Sequence, residues 1–286
     1  MNMSNTWLNS GSREGVNTST FVMIKPRGLS HWPIIKKRIE ATAPISRTRL
    51  VLVTRELIEQ HYAEHSELEF FAQLTDYFVG KYVLAVEVLA APQVIREIIG
   101  STNPQDIGNE NTIRGLVNSL TPDDTTLIAY TKGIDNLVHA TDKSKVWGIG
   151  AEEMAKREID LWFNHPVPPT PAYLCLMNRK VTLEGDCVSP LIGIDFDLSN
   201  PMTLASHITD LLEALPWNRH WSQIGAKIPA LLVGGVPALQ IIAVQYLTTL
   251  TGKSFEICWI DHTDGVPKSV ELQSVKKRAR RHRDGL

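Results

Sequence analysis

The stretch Asp135-Asn136-Leu137-Val138-His139-Ala140-Thr141-Asp142 places one histidine between an apolar pair and a small, a hydroxyl and an acidic residue. Taken alone, a histidine in such a setting is most often a hydrogen-bonded residue at the end of a buried strand. Its imidazole is also the side chain whose charge changes nearest neutral pH, which suits a nucleophile or a general base. The patterns on either side of the stretch decide between these two interpretations.

The composition is that of a globular protein with more than one domain. The chain has 286 residues, of which 43% are apolar and 21% charged, and this length predicts about two domains. No apolar run reaches the roughly 18–20 residues that a membrane-spanning helix needs. Cys175, Cys187 and Cys258 are odd in number and lack metal-ligand spacing, which favours a reducing, cytoplasmic location. Residues 1–19 are polar and lack the apolar centre of a signal peptide, so a disordered lead-in is expected.

The positive charges are distributed unevenly along the chain. The segment Lys276–Arg283 carries six of them, so the formal net charge of −2 becomes about −8 when this segment is set aside. Two interpretations of the basic tail, residues 273–286, stay open. It is either a segment that contacts nucleic-acid phosphates without reading sequence, or a solubilising end.

Strand patterns alternate with helix patterns from residue 20 to residue 163. Runs rich in β-branched residues predict strands, and apolar residues at i, i+3, i+4 and i+7 spacing predict amphipathic helices. The order fits a ferredoxin-like α+β fold, a four-stranded antiparallel sheet with covering helices. The predicted strands are 20–25, 49–54, 82–90, 125–130 and 137–139, and the predicted helices are one that begins after Ser30, then 55–79, 92–99, 112–119 and 151–163.

Short motifs in this region resemble those of nucleoside diphosphate kinases, in the same order along the chain. They are TFVMIKPRG at 20–28, HYAEHSELEFF at 61–71, IREIIGSTNP at 95–104 with NTIRG at 111–115, NLVHATD at 136–142 and AKREIDLWF at 155–163. Several motifs in one order are far more specific than any one of them. Residues 20–163 are therefore identified as a member of this family.

The resemblance implies transfer of the γ-phosphoryl group from a nucleoside triphosphate to a nucleoside diphosphate, through a phosphohistidine at His139. Glu158, together with Thr141, would orient the histidine, and Tyr62 would lie beside it. Mg²⁺ would bridge the phosphates and be held by the nucleotide, so no cage of protein ligands is expected. The other implied roles are phosphate binding by Lys25, Arg96, Arg114 and Thr102, ribose binding by Asn136, and base stacking by Phe70.

The sequence departs from the family pattern at several positions. Arg27 replaces an aspartate, Ala140 and Thr141 replace a glycine and a serine, and Leu68-Glu69 replaces Arg-Pro. The insert 116–135 lies near the subunit contacts of the family, for which a homo-oligomer is expected. An alternative function therefore stays open: a degenerate kinase fold that senses nucleotides within a bacterial defence or signalling system.

The second half predicts a separate α/β domain. Residues 164–171 contain four prolines and predict a stiff linker to a domain at 172–272. The order of elements predicts a partly parallel sheet, and the strand–Gly–Pro–helix–strand pattern is similar to the Rossmann-like nucleotide sensors of bacterial antiviral systems, the CARF and SAVED type. The predicted strands are 173–177, 181–183, 189–196, 230–233 and 255–260, and the predicted helices are 203–215 and 238–250.

Three features of the second half have two interpretations each. The Gly234-Gly235 turn before a helix is either an anion site or a structural turn. Asp195 and Asp197 either hold a metal or cap a turn. His262, between Asp261 and Asp264, is either catalytic or solvated. The domain itself is expected to bind a nucleotide or a protein partner.

Overall fold

The computed structural model describes residues 18–101, 110–120, 136–179, 186–260, 263, 267–272, 279–281 and 283. The strands in these ranges form one sheet of four strands and one of five. The predicted strands 125–130 and 181–183, most of the lead-in and most of the basic tail lie outside the described residues. The division into domains at 164–171 stays a prediction.

The first sheet has the strand order β2-β3-β1-β4 with antiparallel neighbours. Alternate residues of a strand point to opposite faces, so Val22 and Ile24 face one apolar cluster while Phe21 and Met23 face another. The predicted ferredoxin-like α+β fold is confirmed. Its strands are β1 Thr20–Ile24, β2 Ile45–Leu52, β3 Tyr82–Val88 and β4 Val138–Ala140.

Six α-helices accompany this sheet within the described ranges. The predicted helical segment 55–79 is wrong as one unit, because α2 ends at His61 and a short 3₁₀ helix, Ala63–His65, precedes α3. Residues 64–69 are mostly charged or polar, so they offer little apolar surface for a continued helix to bury. The helices are α1 Trp32–Glu40, which follows a 3₁₀ helix at Pro26–His31, then α2 Arg55–His61, α3 Phe71–Phe78, α4 Pro92–Ile99, α5 Ile113–Leu120 and α6 Ala151–Phe163.

The second sheet has the order β6-β5-β7-β8-β9. The neighbours β6, β5, β7 and β8 are parallel, and β9 adds an antiparallel edge. The predicted partly parallel sheet is confirmed. Its strands are β5 Tyr173–Cys175, β6 Cys187–Val188, β7 Ala230–Leu232, β8 Glu256–Ile260 and β9 Pro267–Glu271, and its helices are α7 Pro201–Glu213, α8 Asn218–Trp221 and α9 Pro237–Thr251.

The apolar run 189–196 is not a strand, which corrects the prediction. It forms consecutive turns in which the Ile192 amide donates to the Ser189 carbonyl, and Gly193 has a φ of 71°. Leu191 and Ile194 are nevertheless buried. Burial explains the apolar composition, whereas Pro190 and the left-handed glycine favour a turn over a strand.

The two sheets share one apolar cluster. This cluster contains Val22 and Ile24 of β1, Trp32 of α1 and Leu204 and Ile208 of α7. Helix α7 therefore packs against α1 as well as against α9 of its own half. None of the helices in the described ranges combines the length and the apolar content needed to span a membrane.

Polar contacts reinforce this junction. Asp210 of α7 accepts hydrogen bonds from Trp32 Nε1 at 3.1 Å and from Lys36 Nζ at 2.8 Å. His207 Nε2 donates to the Leu29 carbonyl at 2.8 Å. The Leu50 amide on edge strand β2 donates to the Ala214 carbonyl at 2.7 Å, so the second half covers part of an exposed strand edge.

Candidate active site

His139 lies on β4, where it pairs with Met23 of β1. Its neighbour Val138 faces the shared cluster, so alternation directs the His139 ring to the other face, and the side chain is 25% exposed. Leu137, just before the strand, is the sole described non-glycine residue with a positive φ, 72°. Such backbone strain clusters at functional sites, where the surrounding structure must hold it in place.

The turn after β1 supports this strained residue. The Lys25 amide donates to the Leu137 carbonyl at 2.9 Å. Gly28 packs against the same carbonyl, because a Cβ on Gly28 would lie 2.3 Å from the Leu137 oxygen. The Lys-Pro-Arg-Gly turn thus requires its glycine for close approach to the backbone next to His139.

Glu158 connects α6 to His139. His139 Nε2 lies 3.0 Å from Glu158 Oε1, and the Thr141 hydroxyl donates to Glu158 Oε2. Glu158 is 3% exposed on the otherwise apolar buried face of α6. A carboxylate accepts hydrogen bonds, so Nε2 carries the proton and the lone pair of the neutral ring lies on Nδ1.

His61 is a member of this cluster that the sequence did not single out. It is 4% exposed, and its ring centroid lies 4.9 Å from that of His139. Trp162 Nε1 donates to His61 Nδ1 at 3.2 Å, which places the His61 proton on Nε2. Burial, and next the charge of His139, holds the His61 pKa well below its usual range. The one signal in the sequence is that His61 directly precedes Tyr62, a predicted site residue.

Three ligand-type atoms, one each from His61, His139 and Glu158, lie within 4.8 Å of one another. Because His61 Nδ1 already accepts the Trp162 indole proton, a metal ion at this place would have to displace that bond. Two imidazoles and one carboxylate also suit a transition metal better than Mg²⁺. The cluster fits a positioned histidine rather than a magnesium site.

The three predicted phosphate-binding cations lie in different settings. Lys25 is 4% exposed, with Nζ 5.8 Å from the Phe78 ring centroid. Arg114 is also buried and donates to the carbonyls of Gly100, Asn136 and Val138, at 2.5, 3.2 and 2.6 Å. The Arg114 guanidinium thus holds the backbone on both sides of Leu137.

Arg96, at the end of α4, is more exposed than the other two cations. Its Nη1 lies 2.6 Å from Asp142 Oδ1, and both side chains are nearly half exposed. Asp142 also accepts from the Lys143 amide at 2.7 Å. The ion pair places Arg96 beside the loop that follows β4, at the rim of the cluster.

The remaining predicted residues lie around the same histidine. The Tyr62 ring centroid is 6.3 Å from that of His139, and neighbouring ring contacts lead from Tyr62 through His65 to Phe70. Phe70 is 47% exposed. Asn136 is 5% exposed, and its Oδ1 has no hydrogen-bond partner among the described residues. Thr102 lies outside the described residues.

Two of the residues that depart from the family pattern, Thr141 and Arg27, lie in or near the site. Thr141 is fully buried; its amide donates to the Phe21 carbonyl at 3.1 Å, and its hydroxyl proton goes to Glu158. The hydroxyl that the serine-to-threonine exchange retains is therefore the group that is used. Arg27 is half-buried within the first 3₁₀ helix. Residues 121–135, most of the predicted insert, lie outside the described residues.

Asp195 and Asp197 of the second half favour the turn interpretation over a metal site. Asp197 accepts hydrogen bonds from the amide and the hydroxyl of Ser199, and these bonds lower its pKa. Asp197 therefore caps a turn, while the Asp195 amide donates to Ser30 Oγ at 2.9 Å. Asp261, His262 and Asp264 lie outside the described residues.

The fold and the site together define a class: ferredoxin-like α+β proteins that carry a histidine–carboxylate pair on one face of the sheet. The model of the nucleoside diphosphate kinase family matches residues 18–167. Because this match covers more than half of the chain, the protein belongs to that family. The predicted family membership is confirmed, and the likeness of the second half to nucleotide sensors stays a prediction.

Curated relatives agree over the same region. A nucleoside diphosphate kinase from Acaryochloris marina is 37% identical over 153 residues, which is 50% of this chain and 86% of that protein. One from Archaeoglobus fulgidus is 34% identical over 153 residues, 51% of this chain and 85% of that protein.

Solved structures of the same family also match. The enzyme from Encephalitozoon cuniculi is 28% identical, with a TM-score of 0.41, and covers 54% of this chain and 93% of its own. The Halobacterium salinarum enzyme, solved in complex with CDP, is 29% identical with a TM-score of 0.41, and covers 52% of this chain and 88% of its own.

Proposed function

We propose that this protein is an active nucleoside diphosphate kinase that uses His139 as the residue phosphorylated during the reaction. The observation that carries the proposal is the 3.0 Å contact between His139 Nε2 and Glu158, whose other oxygen accepts from Thr141. This contact fixes the tautomer and orientation of the ring, which a nucleophilic histidine requires.

The reaction runs in two halves. In the first, the His139 Nδ1 lone pair attacks the γ-phosphorus of a nucleoside triphosphate. The N–P bond forms while the bond to the β-phosphate oxygen breaks, and a nucleoside diphosphate leaves. In the second, a terminal oxygen of another diphosphate attacks the same phosphorus and the N–P bond breaks. The Glu158 carboxylate stabilises the positive charge that develops on the ring.

The neighbouring residues have supporting roles in this proposal. Lys25 and Arg96 balance the negative charge of the transferred phosphoryl group, and Arg114 holds the backbone of Asn136 and Val138 in place. The Asn136 Oδ1 atom, a buried acceptor without a described partner, suits a ribose hydroxyl. The exposed Phe70 ring suits stacking on any base, which fits a broad nucleotide range.

Mg²⁺ is the cofactor that the family implies. The described donor cluster is rich in imidazole nitrogen, so the ion would be held by the nucleotide phosphates rather than by these residues. When bound, it neutralises phosphate charge. We further propose a cytoplasmic location, in keeping with three free cysteines, and a homo-oligomeric state.

Labelling with γ-³²P-ATP tests the proposal. We expect the full chain to become labelled, the label to be lost in acid and kept in base, and GDP to remove it as labelled GTP. His139→Ala should show no label. Glu158→Gln should slow labelling by about tenfold to a hundredfold, as is typical when a partner that orients a histidine is lost. Glu153→Gln, an exposed exchange on the same helix, is the matched control and should match wild type.

A second candidate function is nucleotide binding without transfer. It is favoured by the Arg96–Asp142 ion pair at 2.6 Å, which competes with phosphate for the arginine. Absence of label in a chain that still binds ADP would overturn the kinase proposal in favour of this one. Equal labelling of wild type and His139→Ala would overturn both His139 and the proposed intermediate.

A further inference from the structure

The second sheet reverses its direction of growth at β5. Strand β6 follows β5 in the chain and lies on one side of it, whereas β7 and β8 lie on the other side. In parallel α/β sheets, the loops at the carboxyl ends part at such a position and leave a crevice in which ligands bind. Here the two loops that part are the segment after β5 and the turn from β7 to α9, so we expect the crevice between them.

The backbone shows where the two strands part. The Leu176 amide still pairs with the Leu232 carbonyl at 2.9 Å. Beyond this point β7 no longer pairs with the chain that follows β5, because the chain after β7 turns at Gly234 and Gly235 into α9. Gln240 Nε2 instead donates to the Leu176 carbonyl at 2.6 Å. The Gln240 carboxamide, one turn into α9, therefore lies buried beside the end of β5, where the crevice is expected.

The turn itself brings backbone close to the crevice. Gly235 has a φ of 81°, a conformation that favours glycine. A Cβ on Gly234 would lie 2.8 Å from the Met177 sulfur, so a side chain there would have to displace the Met177 thioether. The turn ends at α9, a helix of 15 residues that no side chain caps and that begins with Pro237. An uncapped helix start offers amide N–H groups and partial positive charge to an anion.

Gln240 provides an observation independent of the helix. It is 8% exposed, and its Oε1 has no hydrogen-bond partner among the described residues. Because Nε2 must face the Leu176 carbonyl, a flip of the amide cannot satisfy Oε1. Buried polar atoms without partners are rare in folded proteins, and each requires an explanation. An N–H or O–H donor on a ligand would supply the missing bond.

We propose that this crevice is a second nucleotide site, separate from His139. Phosphate oxygens bind at the first turn of α9, and a ribose hydroxyl or a base N–H donates to Gln240 Oε1. Arg179, exposed on the segment that leaves β5, adds positive charge at the same edge. A ligand that combines an anionic group with separate hydrogen-bond donors, such as a nucleotide, matches both halves of the site.

Equilibrium dialysis of the full chain with labelled ADP tests the proposal, since ADP alone cannot phosphorylate His139. Ala238→Glu adds a carboxylate to the first turn of α9. This change repels phosphate and favours the helix, so the variant should melt no lower than wild type. We expect it to bind one ADP per chain fewer than wild type and to keep wild-type phosphotransfer. Gln245→Glu, the same charge two turns further along α9, is the matched control and should lose no ADP.

The outcomes separate this site from the kinase site. If the His139 site fails to bind, wild type should still bind one ADP that Ala238→Glu does not. Equal stoichiometry in wild type and Ala238→Glu would overturn the second site. Displacement of the second ADP by inorganic phosphate at the same concentration as by AMP would show a phosphate site only, and would overturn the nucleotide assignment.

Discussion

At the scale of single residues, the candidate site depends on one strained backbone position. Leu137 has a φ of 72°, and its carbonyl is held by the Lys25 amide. The backbone of Lys25 and the turn at Gly28 therefore both contact the residue that precedes the short strand of His139. The histidine gains its orientation from this backbone as well as from Glu158.

Gly28→Ala tests that arrangement. The new Cβ would lie 2.3 Å from the Leu137 oxygen and 2.8 Å from Ile24 Cγ2, so the backbone must shift. We expect a loss of about 1–3 kcal/mol in the free energy of unfolding, the usual range for overpacking, together with slower labelling of His139. Gly150→Ala is the control, because nothing lies within 4 Å of a Cβ there. Denaturant unfolding with wild-type stability in Gly28→Ala would contradict the proposed close contact.

At the scale of elements, α7 and the first 3₁₀ helix meet through a buried histidine. His207 is 2% exposed and donates to the Leu29 carbonyl. Burial lowers the pKa of His207 to about 4, so the ring is neutral in the folded protein. The same 3₁₀ helix contains Gly28, which connects the junction to the backbone beside His139.

This histidine predicts acid sensitivity. In the unfolded chain its pKa is about 6.5, so below that pH the unfolded state binds more protons and the folded state loses stability. The loss should be complete near pH 4 and amount to roughly 3 kcal/mol for this residue. His207→Gln keeps an N–H donor without titrating, and its stability should fall less between pH 6.5 and 4. His220→Gln, at an exposed histidine, is the control. If His207→Gln loses as much stability as wild type between pH 6.5 and 4, His207 is not the source of the acid sensitivity.

At the scale of the whole molecule, the two sheets pack on one shared apolar cluster. We expect a single unfolding transition. Asp210→Ala should lower the free energy of unfolding by about 1–3 kcal/mol, because Trp32 Nε1, on a fully buried ring, loses its acceptor. Asp76→Ala removes an exposed ion pair with Arg55 and should cost less than about 1 kcal/mol. Two separate transitions in denaturant would contradict the shared core.

The same junction bears on assembly. Ala214 covers the β2 edge at Leu50, and strand edges are surfaces through which sheets associate. A homo-oligomer, if it forms, must therefore use surfaces other than this part of β2.

The sequence alone determined the family, the four-stranded sheet and the identity of His139 and Glu158 as candidates, because motifs and periodicity are local properties that a linear chain displays. It failed where apolar runs have more than one structural solution, as at 189–196, where Pro190 and Gly193 produce a buried turn. It also left out His61, whose role depends on the Trp162 indole 101 residues away. Only the tertiary structure decided such contacts, since the pairing of distant side chains depends on how helices and strands pack and not on their spacing in the chain.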